Sequence, residues 1–210
     1  GKTVRETDAR VSYIAHAVGF VDDVDFSGLT IAVDCAHGAS CDTTPAALAR
    51  LGANLYVIND SYSGDDINVD CGSTHMEALS ALVREHRCDL GIAHDGDADR
   101  LLAVDAEGNT VDGDMIEAIC AVALKEQGKL AHDTVVSTVM ANLGFKKAMD
   151  AHQIKVVETP VGDKNVLAAM REGGYVLGGE QSGHTSFLEC NSTGDGLITA
   201  LQLIAQVKRT

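Results

Sequence analysis

Residues 95–100 read Asp-Gly-Asp-Ala-Asp-Arg and come one residue after the apolar run Leu90–Ala93. Three carboxylates at alternate positions, separated by the smallest spacers, can curl toward one centre. Hard oxygen ligands of this kind suit Mg²⁺ better than a soft metal. Without a cation, their mutual repulsion costs several kcal/mol in a partly buried loop. Mg²⁺ takes about six ligands and commonly completes its shell with phosphate oxygens. A phosphate group is therefore the natural further partner, and Arg100 is placed to neutralise it.

Rival readings of this stretch can be weighed from the residues alone. A merely solvated acidic turn fits poorly with the apolar runs on both sides of it. An EF-hand loop fails, because its sixth position would be Arg100 instead of Gly and its twelfth Ala106 instead of Glu. A haloacid-dehalogenase-like phosphatase with Asp95 as nucleophile stays open, although such enzymes usually carry Thr or Val where Asp99 stands. A non-catalytic module that binds metal or sugar phosphate also stays open.

A second polar stretch, Gly178-Gly179-Glu180-Gln181-Ser182-Gly183-His184, occupies the equivalent place later in the chain. Glu180, Ser182 and His184 alternate, so an extended backbone would project them to one side. A carboxylate, a hydroxyl and an imidazole can grip sugar hydroxyls and a phosphate, and the flanking glycines allow a ligand close to the backbone.

The elements that must carry these loops alternate between strand and helix. Strands are expected at Leu29–Val33, Asn54–Ile58, Leu90–Ala93 and Leu101–Val104, then at Thr134–Ser137, Ile154–Val157, Tyr175–Leu177 and Thr185–Leu188. Helices are expected at Ala46–Leu51, Thr74–Arg87, Asp114–Gln127, Leu143–Ala151 and Asn165–Arg171. A capping box of Thr74 and Glu77 would open the second of these. The stretch ending in LGIAHDGDADRLLAV resembles the one ending in VLGGEQSGHTSFLE. After each comes a Gly-Asp element, Gly113-Asp114 and Gly194-Asp195, that opens a helix. The repeat is too long for a solenoid unit, so the expected fold is α/β, with two similar domains, each a mixed β-sheet flanked by helices. The boundary is placed between residues 1–107, with the metal loop, and 108–210, with the sugar loop.

A formal charge of −15 argues against a nucleic-acid partner, which needs a basic surface. No apolar run approaches the roughly 20 residues of a membrane span. None of the six cysteines forms a C-x-x-C pair or a zinc-like spacing. Free thiols in a reducing cytoplasmic setting are the expectation.

Taken together, the motifs resemble the α-D-phosphohexomutase superfamily and, within it, the phosphoglucosamine mutases. The resemblance rests on VDCAHGAS, INVDCGSTHMEAL, LGIAHDGDADRLLAVD, GNTVDGDMI, VSTVMANLG, TPVGDKNVLAAMREGGYVLGGEQSGH and TGDGLITALQL. It covers nearly all of the chain from Asp34 onward. It implies a four-domain enzyme of which this chain is similar to the central two, the missing first and fourth domains supplying a phosphoserine and a phosphate-binding loop. Asp95, Asp97 and Asp99 would then ligate Mg²⁺, and Arg100 would face the phosphoserine. Glu180 and Ser182 would bind sugar hydroxyls, and His184 would contact substrate and help move a proton. The implied reaction interconverts glucosamine 6-phosphate and glucosamine 1-phosphate through a bisphosphorylated intermediate. Phosphomannomutase or phosphoglucomutase activity is the nearest alternative.

Several residues depart from the family pattern. No Ser-x-Ser-His-Asn stretch and no Arg-x-Ser-Gly-Thr loop occurs in these 210 residues, so the chain alone is expected to be inactive. Pro160 stands where related enzymes usually carry a substrate-contacting Lys, and Lys164-Asn165 where Arg-Tyr is common. His94 and the pair Asp65-Asp66 are also unusual.

Overall fold

A computed structural model of the chain describes residue 3 and residues 8–21, 23–61 and 63–210. The first half opens with helix α1 (Ala9–Val18), followed by β1 (Thr30–Asp34), α2 (Thr44–Arg50) and β2 (Asn54–Ile58). Helix α3 (Glu77–His86), β3 (Leu90–His94), β4 (Leu101–Val104) and the short β5 (Thr110–Val111) complete it. The second half runs α4 (Gly113–Glu126), β6 (Thr134–Thr138), α5 (Leu143–Ala151), β7 (Lys155–Thr159) and α6 (Asp163–Gly173). It closes with β8 (Leu177–Gly179), β9 (Thr185–Phe187) and α7 (Gly196–Arg209).

The two sheets have the orders β2-β1-β3-β4-β5 and β7-β6-β8-β9. In the first, β1 is parallel to both β2 and β3, and β4 returns antiparallel to β3. In the second, β6 is parallel to both β7 and β8, and β9 returns antiparallel to β8. The internal repeat is therefore a repeat of topology. Every residue of β3 and of β6 is buried, as expected for central strands covered on both faces. The first sheet reaches Val111 because β5 pairs with β4.

Three local expectations are corrected. The helix expected from Thr74 starts later, at Glu77, after a 3₁₀ turn over Gly72–Thr74. Thr74 turns its hydroxyl to His75 Nδ1 (3.1 Å), so no capping box forms. Helix α1 lies outside the expected elements. The helix-opening element shared by both halves is Asp-Gly instead of Gly-Asp: Asp112 caps α4 by accepting from Met115 N (3.0 Å), and Asp195 caps α7 by accepting from Ile198 N (3.0 Å).

Those two helices join the halves. Helix α4 packs on β4 and β8, and α7 on β4 and β9. One apolar cluster accordingly runs from Ile14 through Ile31, Leu101 and Ile116 to Leu177 and Ile204. The helix after each hairpin opens on the polar loop of the other half. Gly113 N donates to Gln181 O (3.1 Å), and Gly196 N donates to Ala98 O (2.9 Å). A Cβ at Gly196 would lie 2.5 Å from Arg100 O and 2.8 Å from Ala98 O, and one at Gly113 would lie 2.6 Å from Gly183 N. Only glycine permits either approach.

Beneath the second loop, α4 buries Glu117 completely. Its Oε2 accepts from Ser137 Oγ (3.0 Å), and its Oε1 has no partner among the described residues. Burial, reinforced by the charges of Asp114 and Glu180, pushes this carboxyl well above the ordinary range, against a smaller opposing effect of the Ser137 hydrogen bond. The folded state thus holds a proton that the unfolded chain has lost, so stability falls as pH rises above the ordinary carboxylate range. Replacing Glu117 with Gln should remove this slope, which amounts to at most about 1.4 kcal/mol per pH unit. Urea unfolding of both proteins from pH 5 to pH 8 checks it: the stabilities should converge at low pH and separate in favour of Glu117→Gln as pH rises. Parallel curves would refute a protonated Glu117.

Candidate metal and sugar-phosphate site

The loop between β3 and β4 gathers the carboxylates of Asp95, Asp97 and Asp99, with one oxygen of each within 4.8 Å of the others. Ala98 sits at φ 61°, a left-handed conformation uncommon for a residue with a side chain. This kink lets alternate residues converge. Asp97 is exposed, while Asp95 and Asp99 are half-buried. Arg100 lies alongside, its Nε 3.5 Å from Asp95 Oδ2 and 3.7 Å from Asp99 Oδ1. Its backbone N–H donates to Asp95 Oδ1 (3.3 Å).

Residues from β1 onward brace this loop from behind. Ala39 N donates to Gly96 O (2.9 Å). Buried Asp34, at the end of β1, accepts from Ala36 N (2.9 Å) and from Gly72 N (3.0 Å). It thereby ties the turn after β1 to the 3₁₀ turn, and the same tie draws Thr74 out of α3. A depression of about 350 Å³ beside the carboxylates is lined by Tyr13, Thr43, Asp97, Asp99 and Thr193. Tyr13 donates to both oxygens of Asp195 (2.9 and 3.0 Å), and burial followed by the Asp195 charge pushes its phenol up.

The second loop does not run extended. Glu180 N donates to His184 O (3.0 Å) and Gly183 N to Glu180 O (2.9 Å), which makes residues 180–184 a tight turn closing the β8–β9 hairpin. Ser182 stands exposed at its tip. Glu180 Oε1 accepts from Gly162 N (2.9 Å) at the start of α6. His184 is buried, with Nε2 3.6 Å from Asp99 Oδ2. The two loops also meet through backbone: Arg100 and His184 form an antiparallel bridge, and Leu101 N donates to Gly183 O (3.1 Å). Asp95, Asp97, Asp99, Arg100 and His184 therefore come together, while Glu180 and Ser182 lie along the adjoining turn. Pro160 is exposed in the loop that presents Gly162 to Glu180.

The donor set suits a hard divalent cation. Asp99 Oδ1 is buried without a hydrogen-bond partner among the described residues. Burial first, then repulsion from Asp95 and Asp97, raises the Asp99 carboxyl, and His184 and Arg100 offset this only in part. At an effective dielectric near 20, two carboxylate charges this close repel by roughly 3 kcal/mol, less where Asp97 meets solvent. A dication among three oxygen donors would remove that repulsion and satisfy the orphaned oxygen.

Sequence reasoning missed Asp34, Thr44 and Tyr13, and noticed His94 only as a departure. Asp34 carried a readable signal, a carboxylate ending an apolar strand. Thr44 and Tyr13 act through partners distant in sequence and carried none.

The comparisons with known proteins agree with this architecture. Residues 11–108 match the family described as phosphoglucomutase/phosphomannomutase, alpha/beta/alpha domain II, and residues 112–210 match domain III of the same family. The phosphoglucosamine mutase of Caldanaerobacter subterraneus is 55% identical over 188 residues, covering 90% of this chain and 42% of the relative. That of Streptomyces griseus is 50% identical over 210 residues, 100% of this chain and 46% of the relative. The chain thus spans less than half the length of the curated relatives it matches. A phosphoglucomutase/phosphomannomutase family protein from Burkholderia thailandensis shares the fold with a TM-score of 0.85 at 24% identity, over 96% of this chain and 44% of that one. An Aspergillus fumigatus N-acetylphosphoglucosamine mutase, solved in complex with GlcNAc-6P and magnesium, does so at 0.74 and 20% identity, over 99% of this chain and 49% of that one. Among the described residues no helix is long and apolar enough to cross a membrane. The chain belongs to the phosphoglucomutase/phosphomannomutase family, of which it carries the second and third α/β/α domains.

Proposed function

We propose that this chain is the metal-loop and sugar-loop portion of a phosphohexomutase that interconverts glucosamine 6-phosphate and glucosamine 1-phosphate. The observation that carries the proposal is the convergence of three carboxylates, Arg100 and His184 where the two halves meet. Relatives named phosphoglucosamine mutase at 50% identity or more favour the amino sugar over other hexoses. The complex of the Aspergillus relative with GlcNAc-6P and magnesium favours the same ligand classes. Six unpaired thiols suit the reducing cytoplasm.

In this reading Asp95, Asp97 and Asp99 hold Mg²⁺. When bound, Mg²⁺ supplies Lewis-acid polarisation and charge neutralisation at a phosphoryl group. Arg100, half exposed and paired through Nε with Asp95 and Asp99, presents its guanidinium to the phosphoryl oxygens. His184 contacts the sugar from the floor of the turn and takes or returns the proton of the reacting hydroxyl. Glu180 and Ser182 orient the neighbouring hydroxyls, Glu180 being steadied by Gly162 N–H. The phosphoserine that donates and recovers phosphate, and the loop that grips the far phosphate, would come from the parts of the relatives that this chain does not span.

Two experiments test the assignment. Phosphorus NMR of the chain with glucosamine 6-phosphate, Mg²⁺ and a trace of the bisphosphorylated sugar should show no turnover until the remaining domains are added. Glucosamine 1-phosphate formed by the chain alone would put the phosphate carrier within these 210 residues, and release of inorganic phosphate alone would favour a phosphatase using Asp95. In calorimetry, Asp97→Ala should weaken Mg²⁺ binding at least tenfold, about 1.4 kcal/mol. The melting temperature should hardly change, because Asp97 is exposed. Unaltered affinity would remove Asp97 from the site.

A further inference from the structure

The loop that gathers the three carboxylates is held at its closing residue by a side chain outside that cluster and outside the 180–184 turn. His94, the last residue of β3, is fully buried. Its Nδ1 lies 3.1 Å from Arg100 O, and its Nε2 lies 3.0 Å from Thr44 Oγ1. Thr44 is itself fully buried, at the start of α2. A carbonyl oxygen can only accept, so Nδ1 must carry the hydrogen, and Nε2 is left to accept the Thr44 hydroxyl. Gly196 roofs the bond: a Cβ there would fall 2.6 Å from Nδ1 and 2.5 Å from Arg100 O.

Arg100 is thereby pinned on both sides of its backbone, its N–H by Asp95 (3.3 Å) and its C=O by His94. The same residue forms the bridge to His184. We infer that His94, fixed as the Nδ1–H tautomer by the Arg100 carbonyl and steadied through Nε2 by Thr44, is a positioning residue that sets the Arg100 backbone and so aligns the carboxylate cluster with the sugar loop. The consequence for metal binding rests on the proposed function, whereas the tautomer and the alignment of the two loops do not.

A buried histidine that merely fills space would accept any substitute of similar size, and the two amide side chains separate these roles. Asn can place an N–H where Nδ1 stands, whereas Gln reaches toward the Nε2 position and loses the bond to Arg100. Long-range ¹⁵N–¹H NMR of the metal-free chain should show His94 with hydrogen on Nδ1 only; hydrogen on Nε2 would overturn the inference. In His94→Asn the backbone amide signals of residues 95–101 and 183–185 should stay near their wild-type positions, with Mg²⁺ affinity within about threefold. In His94→Gln both sets of amides should shift, and affinity should drop at least tenfold. Equal behaviour of the two variants would reduce His94 to core filling and refute the proposal. If either variant fails to fold, Thr44→Val and Thr44→Ser replace them: Val should free the imidazole ring to turn and shift the Arg100 amide, Ser should hold both in place, and identical spectra from the two would be contrary evidence. A wild-type chain that binds no Mg²⁺ would sink the metal reading alone, since tautomer and amide shifts still decide the role of His94.

Discussion

The antiparallel bridge between Arg100 and His184 is the contact on which the arrangement of the site depends. It is a backbone junction between loops from two separate sheets, with Leu101 N–H donating to Gly183 O as its clearest hydrogen bond. Such a junction is isolated from either sheet's ladder and would be weak alone. It persists because the helix after each hairpin opens on the opposite loop, Gly113 on Gln181 and Gly196 on Ala98. The shared apolar cluster then makes separating the loops equivalent to opening the core, since α4 and α7 each pack on strands of both sheets.

Electrostatics works against this design at its centre. The chain is already strongly acidic, and the junction concentrates three carboxylates there, one of them with a buried oxygen that accepts no hydrogen bond among the described residues. Ala98 adds a left-handed backbone at the loop's midpoint. Strain and repulsion of this kind persist only where surrounding structure over-determines the conformation. Here the surroundings are Asp34 behind, the first residue of α7 above and His94 below. Arg100 and His184 compensate part of the charge, and a divalent cation would compensate the remainder.

Much of this was legible in the sequence, for identifiable reasons. The central strands announce themselves because strands buried on both faces carry short runs of apolar and β-branched residues, and the acidic loop because three carboxylates at alternate positions follow such a strand. The duplicated order was visible in two similar stretches. The misreadings share a different cause. Thr74 carries a capping-box signature, but Asp34 claims the N–H of Gly72 and holds that segment as a 3₁₀ turn. Residues 180–184 alternate like a strand, yet Gly183 at φ 96° closes them into a turn. Helix α1 becomes apolar-faced only where α2 and α7 cover it, and the pairing of Thr44 with His94 runs from the start of α2 across β2 and α3 to the end of β3. Local pattern does not record these long-range partners.

The proposed role of this arrangement is to hold a divalent cation beside the turn at residues 180–184. Anomalous diffraction from crystals of the chain grown with Mn²⁺ tests it most directly. The account predicts one strong peak coordinated by carboxylate oxygens of Asp95, Asp97 and Asp99, with His184 still beside Asp99. No peak at these three residues at saturating Mn²⁺, or a peak seated elsewhere, would contradict it.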